Sequence, residues 1–234
     1  MTAVDPKVGG LGTVLVTGGA SGLGAAVAQA VGKAGGETVV LDRAEPPFKT
    51  EHVAVDLADG RAAEAAVREV AGRRGLRAVV TAAGIDACGT LTAVPAEDWE
   101  RVVRVNLLGT AAVVRAALPY LERSGGKVVT VASTLGLRGV SDASAYCASK
   151  FGVVGFTRAL AAETAGRVGV TLLVPGGMRT GFFDDRPEQY RPPADARLNR
   201  PEDVAEAVLF ALCQPPGCEL RELVVCPSTE PSWP

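Results

Sequence analysis

Tyr146 and Lys150, in the stretch Ser144-Ala145-Tyr146-Cys147-Ala148-Ser149-Lys150, are the pair in this chain best suited to moving a proton. On a helix, a spacing of four places both side chains on one face, a turn apart. A lysine ammonium at that range favours the tyrosinate. The phenol can then exchange its proton nearer neutrality than an ordinary pKa of about 10 allows. Taken alone the pair is weak, because Tyr-x-x-x-Lys is also a common arrangement on a helix surface. The rest of the chain decides whether it is a catalyst.

Other groups able to do acid–base or metal chemistry are few. The single histidine, His52, opens the alternation His52-Val53-Ala54-Val55 and reads as a residue of an edge strand. One imidazole excludes a multi-histidine metal centre and argues against a hydrolase triad. Cys88, Cys147, Cys213, Cys218 and Cys226 form no C-x-x-C pair, so reduced structural thiols are expected and no metal site. A net charge of −2 gives no basic footprint for nucleic acid or an acidic membrane. No run approaches the ~20 apolar residues of a membrane span, and residues 1–12 do not resemble a signal peptide. A soluble cytoplasmic protein acting on a small molecule is expected.

The elements that would position Tyr146 and Lys150 follow from the apolar pattern. Val14-Leu15-Val16 is a short run bounded by turn residues, as in a buried parallel strand. Thr17-Gly18-Gly19-Ala20-Ser21-Gly22-Leu23-Gly24 follows, then a helix over residues 25–34 and a strand, Thr38-Val39-Val40-Leu41, ending at Asp42. Strand, glycine-rich turn, helix, strand and acid is the dinucleotide-binding order. Gly18, Gly22 and Gly24 would let the backbone approach a pyrophosphate at the helix N-terminus, with the Ser21 hydroxyl and Leu23 alongside. Asp42 would take the adenosine ribose hydroxyls and repel a 2′-phosphate, which favours NAD over NADP. Arg43, beside it, is the one residue that could receive that phosphate.

Further strands are expected at residues 53–55, 77–81, 127–131, 170–174 and 220–226. Helices are expected at 61–73, with Asp59 as N-cap, at 96–121 with an interruption near Asn106 and Gly109, from Tyr146 to about 165, and at 201–212. The alternation runs without a linker. It specifies one domain over residues 1–234: an α/β, doubly wound, mainly parallel seven-stranded sheet with helices on both faces. The turns at residues 18–24, Asp42, Ala83-Gly84, Ser133 and Pro175-Gly176 each fall just past a strand's carboxyl end, where such sheets bind ligands.

With those residues placed, the chain resembles the short-chain dehydrogenases/reductases from residue 14 to about residue 225. Thr17-Gly18-x-x-x-Gly22-x-Gly24 is similar to the family's cofactor turn, and Asp56-Leu57 to its adenine-contacting pair. Asn106, Ser133, Tyr146 and Lys150 match its four catalytic positions in order and spacing. Pro175-Gly176-x-x-x-Thr180, with Met178 inside it, is similar to its nicotinamide-side motif. The resemblance implies a Rossmann-type fold and reversible hydride transfer between NAD(H) and a secondary alcohol or ketone. It implies that Tyr146 moves the proton, Ser133 holds the substrate oxygen, Lys150 binds the nicotinamide ribose and Asn106 holds a water leading to solvent. It also implies a dimer or tetramer.

Two departures stand out. Where the family reads Asn-Asn-Ala-Gly, this chain has Thr81-Ala82-Ala83-Gly84, which weakens a bond between neighbouring strands. The segment that would form a substrate lid, residues 183–199, is short and proline-rich, and the tail at 227–234 has no evident function. Leu135, Val140, Gly177, Phe182 and Phe183 would line the substrate pocket, so a small, largely apolar substrate is expected. The rival readings are a non-catalytic NAD-binding regulator and a dehydratase or epimerase that uses the cofactor transiently.

Overall fold

In the computed structural model, which describes residues 10–233, parallel strands carry the apolar runs and helices cover them on both sides. Seven strands stand in the order β3-β2-β1-β4-β5-β6-β7. They are β1 Thr13–Thr17, β2 Glu37–Asp42, β3 Glu51–Ala54, β4 Ala78–Thr81, β5 Lys127–Val131, β6 Gly169–Pro175 and β7 Glu222–Val225. Every pairing is parallel, in registers such as Leu15 opposite Val39 and Val79.

Successive side chains on a strand face opposite ways, so these strands need apolar residues at every position. Leu15 packs with Val39, Val79 and Val128 on one face, under the helices α2 Gly60–Arg74 and α4 Thr110–Ser124. Val14 and Val16 pack with Val40, Val80 and Val129 on the other, under α1 Gly22–Lys33 and α6 Pro201–Leu212. Burying a valine or leucine stabilises the fold by roughly 1.5–3 kcal/mol. Each strand therefore ties two layers together.

Boundaries shift slightly from expectation. α1 begins at Gly22, within the glycine turn, and β3 and β7 are displaced or shortened by a residue or two. His52 lies on the edge strand β3, its Nε2 3.0 Å from the Asp42 carbonyl. Asp59 caps α2, accepting from Arg61 N and Ala62 N at 3.0 Å.

The interruption near Asn106 is real but not a break. α3 Ala96–Val103 continues through one π-helical turn, Arg104–Gly109, into α4. A Cβ on Gly109 would come 2.7 Å from the Leu57 carbonyl oxygen, so the turn packs tightly on the Asp56-Leu57 loop. The continuous helix, Ala96–Ser124, is long and apolar enough to cross a membrane by length and composition, contrary to the sequence expectation. Its Val102, Val105, Val113 and Val114 are all buried in the protein. The helix that carries Tyr146, α5 Ser144–Glu163, lies against α3 and β6.

Candidate active site

At the carboxyl ends of the strands, the marked turns converge on one cleft of about 670 Å³. The strand order reverses between β1 and β4, the place where doubly wound sheets take ligands.

At one end of the cleft the chain turns through Gly18 at φ +70°, and a Cβ there would lie 2.6 Å from the Ala83 Cα. Only glycine permits that approach. Ser21 is the N-cap of α1 but makes no side-chain cap bond, and the first turn holds no acid. The N–H groups and positive end of α1 are thus left for an anion, and this donor set fits a dinucleotide pyrophosphate. Asp42 is held between two turns, accepting from Ala20 N and Ala44 N at 3.0 Å each. Its oxygens keep lone pairs for ribose hydroxyls. Asp56 accepts from Ala58 N at 2.9 Å and from Arg101 at 2.8 Å, with Arg43 at 3.9 Å. The Arg101 hydrogen bond holds its carboxyl below the usual range, against the effect of burial.

The departure at residues 81–84 has a structural trace. Ala83 N donates to Thr17 Oγ1 at 3.2 Å, which still joins β4 to β1. The Thr81 hydroxyl, however, is buried with no hydrogen-bond partner.

Ser133, Tyr146 and Lys150 meet in the middle of the cleft. Ser133 ends the loop after β5 and accepts from Leu135 N at 3.1 Å, capping a short turn. Lys150 is almost fully buried, its Nζ donating to the Val131 carbonyl at 2.9 Å and lying 5.6 Å from the Tyr146 ring centre. Burial lowers the lysine pKa from 10.5 to about 8. It pushes the Tyr146 phenol up to about 12; the Ser133 hydroxyl pulls it back, Asp86 pushes it further and Arg186 draws it down. The tyrosine is only partly exposed, toward the cleft. The expected drop toward neutrality therefore does not occur in this state. Desolvation outweighs the lysine, whose own charge it weakens and whose ammonium is turned to a carbonyl.

Asn106 differs from expectation in place. It is buried behind the cleft wall, its Oδ1 accepting from Ile85 N at 2.9 Å and its Nδ2 donating to Ile85 O at 2.9 Å and Ser149 Oγ at 3.0 Å. The π-helical turn aims this amide at the loop that follows β4. All the other residues assigned to cofactor or substrate from the sequence line the cleft. Among the lining residues that were not anticipated are Arg101, Arg186, Glu230 and Ser232. Arg186 lies in the proline-rich segment after Thr180, its guanidinium 4.6 Å from the Phe183 ring centre, 5.2 Å from that of Phe182 and 2.5 Å from Asp86. The Phe182 ring centre in turn lies 5.7 Å from that of Tyr146, so this aromatic wall adjoins the tyrosine.

This arrangement can hold a dinucleotide along the glycine turn and present a hydroxyl-bearing substrate to the partly exposed Tyr146. Comparison with known proteins gives the family. Residues 12–191 match the family model described as short chain dehydrogenase. The 3-oxoacyl-acyl-carrier-protein reductase of Thermotoga maritima is 31% identical over 84% of this chain and 88% of its own length. The meso-2,3-butanediol dehydrogenase of Serratia marcescens is 29% identical over 84% and 85%. Among solved structures, the aldohexose dehydrogenase of Thermoplasma acidophilum superposes with a TM-score of 0.83 at 25% identity, covering 92% of both chains. The chain belongs to the short-chain dehydrogenases, and it is an oxidoreductase acting on alcohol- or ketone-type substrates with NAD or NADP.

Proposed function

We propose that this protein transfers a hydride between NAD(H) and a small secondary alcohol or ketone, with Tyr146 exchanging the proton at the substrate oxygen. The observation that carries this reading is the meeting of Ser133, Tyr146 and Lys150 in the cleft that the glycine turn and Asp42 also line. The bound dinucleotide supplies the redox step as hydride donor or acceptor. The uncapped start of α1 binds its pyrophosphate, and Asp42 takes the adenosine ribose. A carboxylate in that position disfavours a 2′-phosphate, which supports NAD; Arg43 is exposed and turned toward Asp56.

Tyr146 gives its proton to the substrate oxygen in reduction and takes it in oxidation. With its pKa pushed up to about 12 by burial, the phenol stays protonated at neutral pH and can still protonate a far more basic alkoxide, although it is a weaker acid than a free tyrosine; the oxidation direction needs added positive charge beside it. Lys150 supplies that charge while binding the nicotinamide ribose, once its ammonium leaves the Val131 carbonyl. Ser133 hydrogen-bonds the substrate oxygen, where negative charge develops. Asn106 fixes the Ile85 loop from behind, and its carbonyl oxygen keeps one lone pair for a water. Pro175, Gly176, Met178 and Thr180 face the nicotinamide, and Leu135, Val140, Phe182 and Phe183 give the substrate end its apolar walls. Residues 183–199 form a lid over it, and the exposed Leu108 and Phe151 suit a contact between copies of the chain.

Tyr146→Phe tests the mechanism. The variant should bind NAD(H) as the wild type does and lose at least a hundredfold in hydride transfer, since positioned acid–base groups contribute about 10²–10⁴-fold. An unchanged rate would remove Tyr146 from the reaction.

A further inference from the structure

The C-terminal tail, for which the sequence offers no functional account, closes one side of the cleft. Beyond β7 the chain turns at Pro227, whose carbonyl accepts from Glu230 N at 3.0 Å. The Glu230 side chain then enters the site. Its Oε2 accepts from Gly177 N at 2.9 Å, and a Cβ on Gly176 would collide with the same oxygen. Its Oε1 accepts from Ser232 N at 3.2 Å and lies 2.6 Å from Ser232 Oγ. Ser232 Oγ also lies 2.7 Å from Thr134 Oγ1, and Arg138 donates to the Pro231 carbonyl at 3.1 Å. The tail thus joins the Ser133-Thr134 turn to the Pro175–Gly177 turn, with Glu230 and Ser232 on the cleft wall.

The partners of Glu230 are neutral donors. Burial pushes its carboxyl up, but the bonds from Ser232 and Gly177 outweigh this and keep it below the usual value, hence ionised. Of the cations around this end of the cleft, Arg186 is matched by Asp86 at 2.5 Å and Arg138 donates to the Pro231 carbonyl. A carboxylate only accepts hydrogen bonds, and Oε2, with one N–H bound, has a lone pair left. Leu135, Val140, Phe182 and Phe183 give the substrate end apolar walls, and Glu230 adds a carboxylate to that lining.

We propose that Glu230 is a specificity-determining residue that accepts a hydrogen bond from a second hydroxyl of the substrate, so that the enzyme prefers diols, hydroxy ketones or sugars over plain alcohols and over carboxylate-bearing substrates. The inference rests on the dehydrogenase reading above and names the substrate class of that site. A site that hydrogen-bonds a substrate hydroxyl rejects the analogue lacking it far more strongly than an apolar pocket rejects a missing methylene.

The test compares kcat/KM, with NAD, for 2,3-butanediol against 2-butanol and cyclohexane-1,2-diol against cyclohexanol, with 3-hydroxybutyrate as the anionic probe. The wild type should favour each diol. Glu230→Gln should lower the diol-to-alcohol ratio at least tenfold, chiefly through KM, and raise 3-hydroxybutyrate relative to 2-butanol. Ser232→Ala keeps the carboxylate but removes its orienting hydroxyl; it should shift the ratio the same way by less, and serves if Glu230→Gln does not fold. Equal losses on diol and alcohol, as a purely tail-anchoring role would give, overturn the assignment. So does a wild type that favours the plain alcohols. The Tyr146→Phe control separates the two readings: full activity without the phenol sinks the underlying mechanism, whereas a Tyr146-dependent reaction with unchanged discrimination sinks Glu230 alone.

Discussion

Replacing Lys150 by methionine should make the free protein more stable while abolishing its activity, and the gain should vanish in alkali. The lysine is 4% exposed and its pKa falls from 10.5 to about 8 through burial. At about 1.4 kcal/mol per pH unit, holding that ammonium in the folded state costs about 3 kcal/mol at pH 7. The sign follows from proton binding. Between pH 8 and 10.5 the unfolded chain binds the proton and the folded one releases it, so this group's penalty is full below pH 8 and fades as pH rises through that window. Methionine matches the length of the stem and fills the space flexibly, but it leaves the Val131 carbonyl without the donor that lies 2.9 Å away, a loss of about 1 kcal/mol. The variant should therefore be about 2 kcal/mol more stable than wild type at pH 7 and about equal to it at pH 10. Urea unfolding of both proteins at pH 7, 8, 9 and 10, without cofactor, measures the difference directly. A difference that does not change with pH, or a variant less stable at pH 7, would refute the claim that Lys150 is held at a desolvation cost.

Two further outcomes follow from single side chains, one buried in β4 and one in the cleft. Thr81→Val removes a buried hydroxyl that has no partner; it should raise stability by about 1 kcal/mol, or about 2–4 °C in Tm for a chain of this size, and a lowered Tm would show that the hydroxyl is satisfied in solution. Asp42→Ala removes the acceptor bonded to Ala20 N and Ala44 N; calorimetric titration should show NAD weakened about tenfold or more and the NADP-to-NAD affinity ratio raised by at least as much, and an unchanged ratio would dismiss Asp42 as the selector.

The fold was legible because a parallel sheet covered on both faces writes itself into sequence as short continuous apolar runs. Val14-Leu15-Val16 could be read as a strand before its partners were known, since all three side chains had to be buried. The dinucleotide end was legible for a related reason: Gly18 and Asp42 meet backbone constraints that few residue types satisfy. The electrostatics of Tyr146 were not. Spacing gives the proximity of Lys150, but the sign of the net shift depends on how much protein surrounds both groups, and that belongs to the tertiary structure. The helix interruption at Asn106 was legible, but its contacts were not: the π-helical turn points the amide at the Ile85 backbone, behind the cleft.

Arg186, Glu230 and Ser232 share a different reason for having been missed. They lie in segments without helical or strand periodicity, so nothing in their spacing reports which surface they meet. What holds each is a tertiary hydrogen bond or ion pair across a long stretch of chain: Arg186 to Asp86, Glu230 to Gly177, Ser232 to Thr134. The two kinds of site residue divide the work accordingly. Those in the turns directly after strands are placed by the sheet, and they are the ones to which the proposed function assigns the cofactor and the proton. Those reached through the proline-rich segment and the tail are placed by a few polar contacts, which substitutions can alter without disturbing the sheet. If Glu230 selects the substrate as proposed, substrate choice resides in the part of the cleft that the core does not fix, where Glu230 is anchored by Gly177 and Ser232.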